Sequence, residues 1–313
     1  MAAVLPLAVN SDFLLLQLVN GLTLGSVYAL IALGYSMVYG ILKLLNFAHG
    51  DVYMMGAFIG YGVLVAFGGP AAPTIPVALL LVLMFLAAML GSGILGVTIE
   101  RFAYRRLRNA PRIAPLITAL GVSFFLQSTA LLLFGPRFRS YSTFEFFSGG
   151  VQLGGVRIAY TRILVIVSAL VLMLLLTWLV NRTRLGKAMR AVSYDREAAA
   201  MMGIDVDRVI VATFLIGSIL AGAAGVMFGL VFFSVFHLMG FTAGLKGFTA
   251  AVVGGIGHIP GAMVGGLLIG LAEAFSAGYI SSTFQDLIVF TILVLVMLFR
   301  PTGLLGKADI KKV

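Results

Sequence analysis

The chain has 313 residues, of which 61% are hydrophobic and only 10% charged. Soluble domains carry roughly 25% charged residues, so this composition describes a polytopic membrane protein with room for about eight to ten spans. The net charge of +10 sits mainly in short clusters beside apolar runs, the pattern of membrane orientation and not of nucleic-acid binding, and the absence of cysteine excludes disulfides and thiolate metal sites.

One all-α membrane domain over residues 1–313 is expected, with MAAVLPLAVNSDF retained as the lead into the first span. Apolar windows place spans at 13–41, 52–67, 75–99 and 113–134, then at 163–180, 209–234, 261–280 and 284–299. The first is too long for one upright helix; it is expected to tilt, break near Gly34 or run into the polar KLLNFAHGD stretch. That stretch carries Lys43, Asn46, His49 and Asp51. Glu100 closes the third span beside Arg101 and is expected as a solvated interface pair.

Three basic clusters hold 15 of the 21 Lys and Arg residues. They are Arg101, Arg105, Arg106, Arg108 and Arg112; Arg182, Arg184, Lys187, Arg190, Arg196 and Arg208; and Arg300, Lys307, Lys311 and Lys312. Two spans separate the first two clusters, which puts both on one side, cytoplasmic by the positive-inside rule. The intervening loop 135–162 carries four arginines of its own, against eleven basic residues in the two clusters. The third cluster reaches the same side only if one more segment crosses. The glycine-rich stretch 239–259 is the candidate, as a short or broken helix covered by protein.

Residues 181–208 carry six basic and four acidic side chains between two spans. Their centre reads as a short separate helix. Ser193 and Asp195 can supply N-cap oxygens, Asp195 and Glu197 suit the positive end of the helix dipole, and Gly203 stops the helix. A capped polar helix between spans suits a soluble partner.

Gly217, Ala221, Gly225 and Gly229 recur at four-residue spacing, as do Gly261, Gly265 and Gly266, Gly270; both series predict close helix packing. Ionisable groups inside a bilayer cost about 2.5–3.5 kcal/mol each, so they are paired, snorkelled or functional. Glu273 is the clearest of them and reads either as half of a structural pair or as part of a pathway. Asp286 lies in the last span, His237 and Lys246 flank the glycine-rich stretch, and His258 marks a turn. His49 and Asp51 supply two potential ligands, too few for a metal. No phosphate-cradling loop, nucleophile–base constellation or dinucleotide fingerprint is present, so neither catalysis nor a cofactor is expected.

NGLTLGSVYALIALGYSMVYGILKLLNFAHGDVYMMGAF (20–58), GKAMRAVSYDREAAAMMGIDV (186–206), KGFTAAVVGGIGHIPGAMVGGLLIGLAE (246–273) and RPTGLLGK (300–307) resemble the LivH-type permeases of branched-chain amino acid ABC importers. The resemblance implies a type II-like permease fold of the vitamin B12/ribose-importer kind in a bacterial inner membrane, with the 181–208 segment and C-terminus cytoplasmic. It further implies a LivM-type permease as heterodimer partner, two cytoplasmic ABC ATPase subunits and a periplasmic amino-acid-binding protein. Asp195, Arg196, Glu197, Ala198, Ala199 and Ala200 would form the helix that docks on an ATPase, with Gly186, Arg190 and Gly203 flanking it. Asn46, His49, Asp51 and Glu273 are the candidates for the translocation path. Urea and short-chain amide importers use related permeases and stand as the alternative cargo. A solitary ion-coupled transporter, using Glu273, Asp286 and His49, is the alternative mechanism.

Overall fold

The computed structural model describes residues 11–69, 74–108, 110–111, 113–141 and 149–306. Residues 1–10 of the N-terminal lead, Arg112, Lys307, Lys311 and Lys312 lie outside the described residues. The helices are α1 (Ser11–Leu42), α2 (His49–Ala66), α3 (Val77–Ile99) and α4 (Ile113–Phe134), followed by α5 (Tyr160–Arg182), α6 (Arg184–Tyr194) and α7 (Arg196–Met201). Then come α8 (Val206–Phe232), α9 (Met239–Gly254), α10 (Ile259–Tyr279) and α11 (Gln285–Phe299). Among the described residues, seven stretches are long and apolar enough to cross a membrane: α1, α3 with its continuation to Leu107, α4, α5, α8, α10 and α11 with its leading turn. The chain is a multi-pass membrane protein.

Burial sorts the helices. At the apolar centre of α8, 72% of the residues are buried, against 61% in α1 and 6% in α11. Helices α1, α8 and α10 therefore form the inside of the bundle, while α11 presents its apolar surface outward. The shorter α2 and α9 are packed among α1, α8 and α10. An apolar groove between α3 and α5, lined by Leu81, Phe85, Leu164 and Val171, has no charged side chain in its lining.

Helix α1 runs unbroken for 32 residues, about 48 Å at the usual rise, with no interruption at Gly34. Its partner α10 runs antiparallel along it. A Cβ on Gly266 would collide with the Ala29 backbone, and one on Gly270 with the Gly25 backbone. On α8 a Cβ at Gly217 would lie 3.3 Å from the Gly34 Cα, and one at Gly225 would collide with the Tyr53 carbonyl. The four-residue glycine spacing is therefore a backbone-to-backbone packing device, as small residues are in lipid.

Two non-helical segments lie inside the bundle. After Leu42 the chain turns through Lys43, whose φ is +54°, and α2 begins with His49 wedged against Gly34. Gly34 lies eight residues before the end of α1, about 12 Å back into the bundle. From the opposite end, the two-residue strand β4 (Ser234–Val235) pairs with β1 (Arg139–Ser140), and the chain then re-enters so that α9 starts beside Gly50 and Asp51. Strands β2 (Gly150–Leu153) and β3 (Val156–Ala159) form a hairpin over the start of α1, where the Gly155 amide faces Asp12.

The ends of the bundle can be assigned from these contacts. The β1–β4 pair joins the ends of α4 and α8. At the other end Arg108 meets Asp207, Gly40 meets Gly257, and the amides of Leu304 and Leu305 bond the carbonyls of Val253 and Gly254. Arg105, Arg108, the 181–208 segment and Arg300 thus share one end, and the glycine-rich stretch runs toward that end as α9 followed by the turn 255–258.

Gly270→Val is expected to lower thermal stability in detergent by about 1–3 kcal/mol, the usual range for overpacking. Gly62, with open space around its Cβ position, is the control: Gly62→Ala leaves the melting temperature unchanged or slightly raised. Equal melting of the two variants would remove α1–α10 contact as the organising interface.

Candidate functional site

The 181–208 segment folds as two helices joined at Asp195. Thr183 caps α6, its Oγ1 accepting from the Gly186 amide at 3.1 Å. Gly186 is required by crowding, because a Cβ there would come within 2.5 Å of the Leu179 carbonyl oxygen and closer still to that of Val180. Arg190 donates to the Val180 carbonyl and so ties α6 to the end of α5. Ser193 does not cap the next helix; its hydroxyl donates back to the Arg190 carbonyl at 2.8 Å. Asp195 alone is the N-cap of α7, accepting from the Ala198 amide at 3.0 Å. Gly203, at φ +81°, ends α7 in the left-handed conformation while the Ile204 amide bonds the Ala199 carbonyl, as a glycine C-cap does.

Helix α7 has two faces. Glu197, Ala200, Met201 and Met202 are exposed, as is Tyr194 just before it; Met201 and Met202 keep more than four-fifths of their surface. Ala198 is half-buried and Ala199 buried. Arg196 turns inward, donating from Nε (3.2 Å) and Nη2 (2.7 Å) to the Ile41 carbonyl oxygen at the end of α1. Burial, and secondarily the Arg108 charge, hold its guanidinium below the ordinary arginine value. Among the described residues no carboxylate pairs with it.

Polar groups inside the bundle form three separate centres. In the first, Asp51 sits in the first turn of α2 with its carboxylate against Gly240 of α9. It accepts from the Ser123 hydroxyl and from Gln127 Nε2 (3.1 Å), both on α4. The starts of α2 and α9 converge here, and neither has a side-chain cap, so two positive dipole ends face one carboxylate. Asn46 Oδ1 accepts from the Tyr104 hydroxyl at 3.0 Å. His49 packs edge-on against Tyr35, ring centroids 4.9 Å apart. His49 and Asp51 address different helices, and no group of three potential metal ligands occurs among the described residues.

The second centre corrects the expected Glu100–Arg101 pair. Glu100 is fully buried and its partner is Arg108, which also holds Asp207 at the start of α8, while Arg101 is exposed. A π-helical turn at Glu100–Tyr104 followed by a 3-10 turn at Arg105–Leu107 redirects the helix end so that Arg108 comes back to Glu100. In the third, Lys246 of α9 bonds Glu273 of α10 and Asp286 of α11, each at 2.7 Å. Lys246 and Glu273 are buried and Asp286 is half-exposed. His258 caps α10, accepting from the Gly261 amide at 3.2 Å, in the turn expected of it.

Sequence reasoning missed Arg108, Ser123, Gln127 and Tyr104. Ser123 and Gln127 lie four residues apart on one face of an apolar span, and that polar pair was a readable signal for a buried partner.

The family described as "Branched-chain amino acid transport system / permease component" matches residues 17–298. The high-affinity branched-chain amino acid transport system permease protein BraD of Pseudomonas aeruginosa is 44% identical over 95% of this chain and 97% of its own length. The LivH proteins of Salmonella typhimurium and Escherichia coli, described as permeases of the same kind of system, are each 42% identical over 96% of this chain and 98% of theirs.

Lys246→Met leaves Glu273 as an uncompensated buried charge and is expected to lower stability by about 3–5 kcal/mol. The double variant Lys246→Met/Glu273→Leu removes both charges and recovers most of the loss, read by thermal unfolding in detergent. A double variant as unstable as the single one would mean that the pair contributes through packing alone.

Proposed function

Because the chain belongs to the permease family of branched-chain amino acid transport systems, we propose that it forms part of the membrane pathway of an importer for leucine, isoleucine and valine. It is the permease subunit of an ABC importer; ATP hydrolysis belongs to separate subunits, and a solute-binding protein delivers the cargo. The finer assembly is our reading: a heterodimer with a LivM-type permease in a bacterial inner membrane, two ATPase subunits and a periplasmic binding protein. The end of the bundle carrying Arg105, Arg108 and the 181–208 segment faces the cytoplasm, as basic loops do.

The observation that carries the coupling role is the outward face of α7. A helix capped at both ends, with exposed Tyr194, Met201 and Met202 beside exposed Glu197, presents adaptable apolar surface where a soluble partner would sit. The helix Asp195 to Ala200 docks in a groove of the ATPase by its outward face, Glu197 and Ala200, while Arg196 faces the bundle; Gly186, Arg190 and Gly203 hold that segment in shape. ATP binding closes the ATPase pair, α7 moves, and the bundle exchanges between inward- and outward-facing states, a two-state equilibrium biased by nucleotide. Asn46, His49, Asp51 and Glu273 border the shorter helices α2 and α9, the region that such a change would rearrange.

The test is leucine uptake into proteoliposomes holding this chain, its partner subunits and the binding protein, with ATP trapped inside. Uptake that requires ATP and the binding protein, persists with ionophores and is not competed by urea or acetamide is expected; ATP-independent uptake abolished by ionophores would overturn the reading. Glu197→Lys is expected to insert normally yet lose about tenfold or more of ATP-coupled uptake, within the usual span of coupling energies. Wild-type uptake by that variant would remove α7 from the docking surface.

A further inference from the structure

Of the charged side chains on α7, Glu197 points to solvent and Arg196 points back into the bundle. Its two donors converge on one acceptor, the Ile41 carbonyl, in the last turn of α1, where helix carbonyls lack intrahelical partners. A cation there also meets the negative end of the α1 dipole. The contact is not sealed by packing. A polar cavity of about 370 Å³ lies beside it, lined by Ile41, Lys43, Arg108, Asp195 and Arg196. Two residues beyond Ile41 comes Lys43 at φ +54°, and from there the chain climbs into the bundle to Asn46, His49 and Asp51.

We propose that Arg196 is the positioning residue through which movement of α7 reaches the bundle interior, by holding the C-terminal carbonyl of α1 from which the 43–48 segment and α2 hang. This rests on the reading of α7 as the ATPase-docking helix. Four features of the contact support it. The planar guanidinium gives two bonds to one oxygen, so α7 cannot rotate without displacing Ile41 or breaking both. No described carboxylate competes for the cation. Ala199 and the Gly203 turn hold the rest of α7 as one short rigid unit. The adjoining cavity leaves room for the end of α1 to shift.

Hydrogen exchange on the assembled transporter, with and without trapped ATP, tests this. In the wild type, nucleotide is expected to change exchange both at 195–203 and at 41–48. In Arg196→Gln the change at 195–203 persists and that at 41–48 disappears. The ATPase subunits still co-purify and hydrolyse ATP, and leucine moved per ATP falls about tenfold. Arg196→Lys, with the charge but not the fork, falls between. A helix cap with no further role would instead raise exchange at 41–48 equally in both nucleotide states and leave the coupling ratio unchanged, which would overturn the proposal. If Arg196→Gln fails to assemble, the wild-type arm still decides: no nucleotide response at 41–48 refutes it. Failure of the docking reading looks different, since the response at 195–203 would then be missing as well.

Discussion

In a bilayer every backbone polar group must find its partner inside the protein, and this bundle places two non-helical segments at depth. Residues 43–48 lead in from one end and residues 236–238 from the other, and their inner ends, Asn46 to His49 and Met239 to Gly240, are buried or half-buried because the surrounding helices approach at backbone distance. Gly50 meets Gly240 and Gly244, Gly34 meets Gly217, and Gly266 meets Ala29. Larger side chains at these places would separate α1, α8, α9 and α10 and let lipid or water reach unpaired amides. The glycine faces and the irregular segments are therefore one feature: the first makes the second tolerable.

Charge follows the same logic. Asp51 joins the starts of α2 and α9 to α4; Glu100, Arg108 and Asp207 join the end of α3 to the start of α8; Lys246 joins α9 to α10 and α11. Each centre lies where a helix starts, stops or is too short to span. The ion pairs of the second and third centres contribute little net stability against apolar substitutes but penalise every arrangement that separates them, which suits a bundle that must hold its short helices in register. Glu273, engaged by Lys246, belongs to the third centre.

Much of this was legible beforehand. Hydropathy located each long helix to within a few residues, and the glycine-rich stretch singled out by charge sidedness folds as the short helix α9. What could not be read was partner choice across the fold. Glu100 had an arginine next to it in sequence, yet a π turn delivers Arg108 instead. Ser193 looked as good a cap as Asp195, but the helix break falls one residue after Tyr194, leaving Ser193 inside α6, where a serine bonds a carbonyl of the preceding turn. The sequence places Arg196 in the docking helix but gives no sign of its contact with α1, because periodicity over a six-residue helix is too short to tell an inward side chain from an outward one.

The backbone around Lys43 shows why that inward arginine matters. A lysine in the left-handed region costs roughly 1–2 kcal/mol, and helices usually place glycine there. Here the turn sends the chain back into the bundle instead of out into solvent, so the end of α1 must hold an unfavourable geometry and leave carbonyls that no helix continues. Arg196 supplies the missing donor at that end, and does so from an element that is otherwise solvent-facing. The strained turn and the surface helix are thereby stabilised by a single side chain, and a force applied to α7 acts at the point where α1 has least internal support.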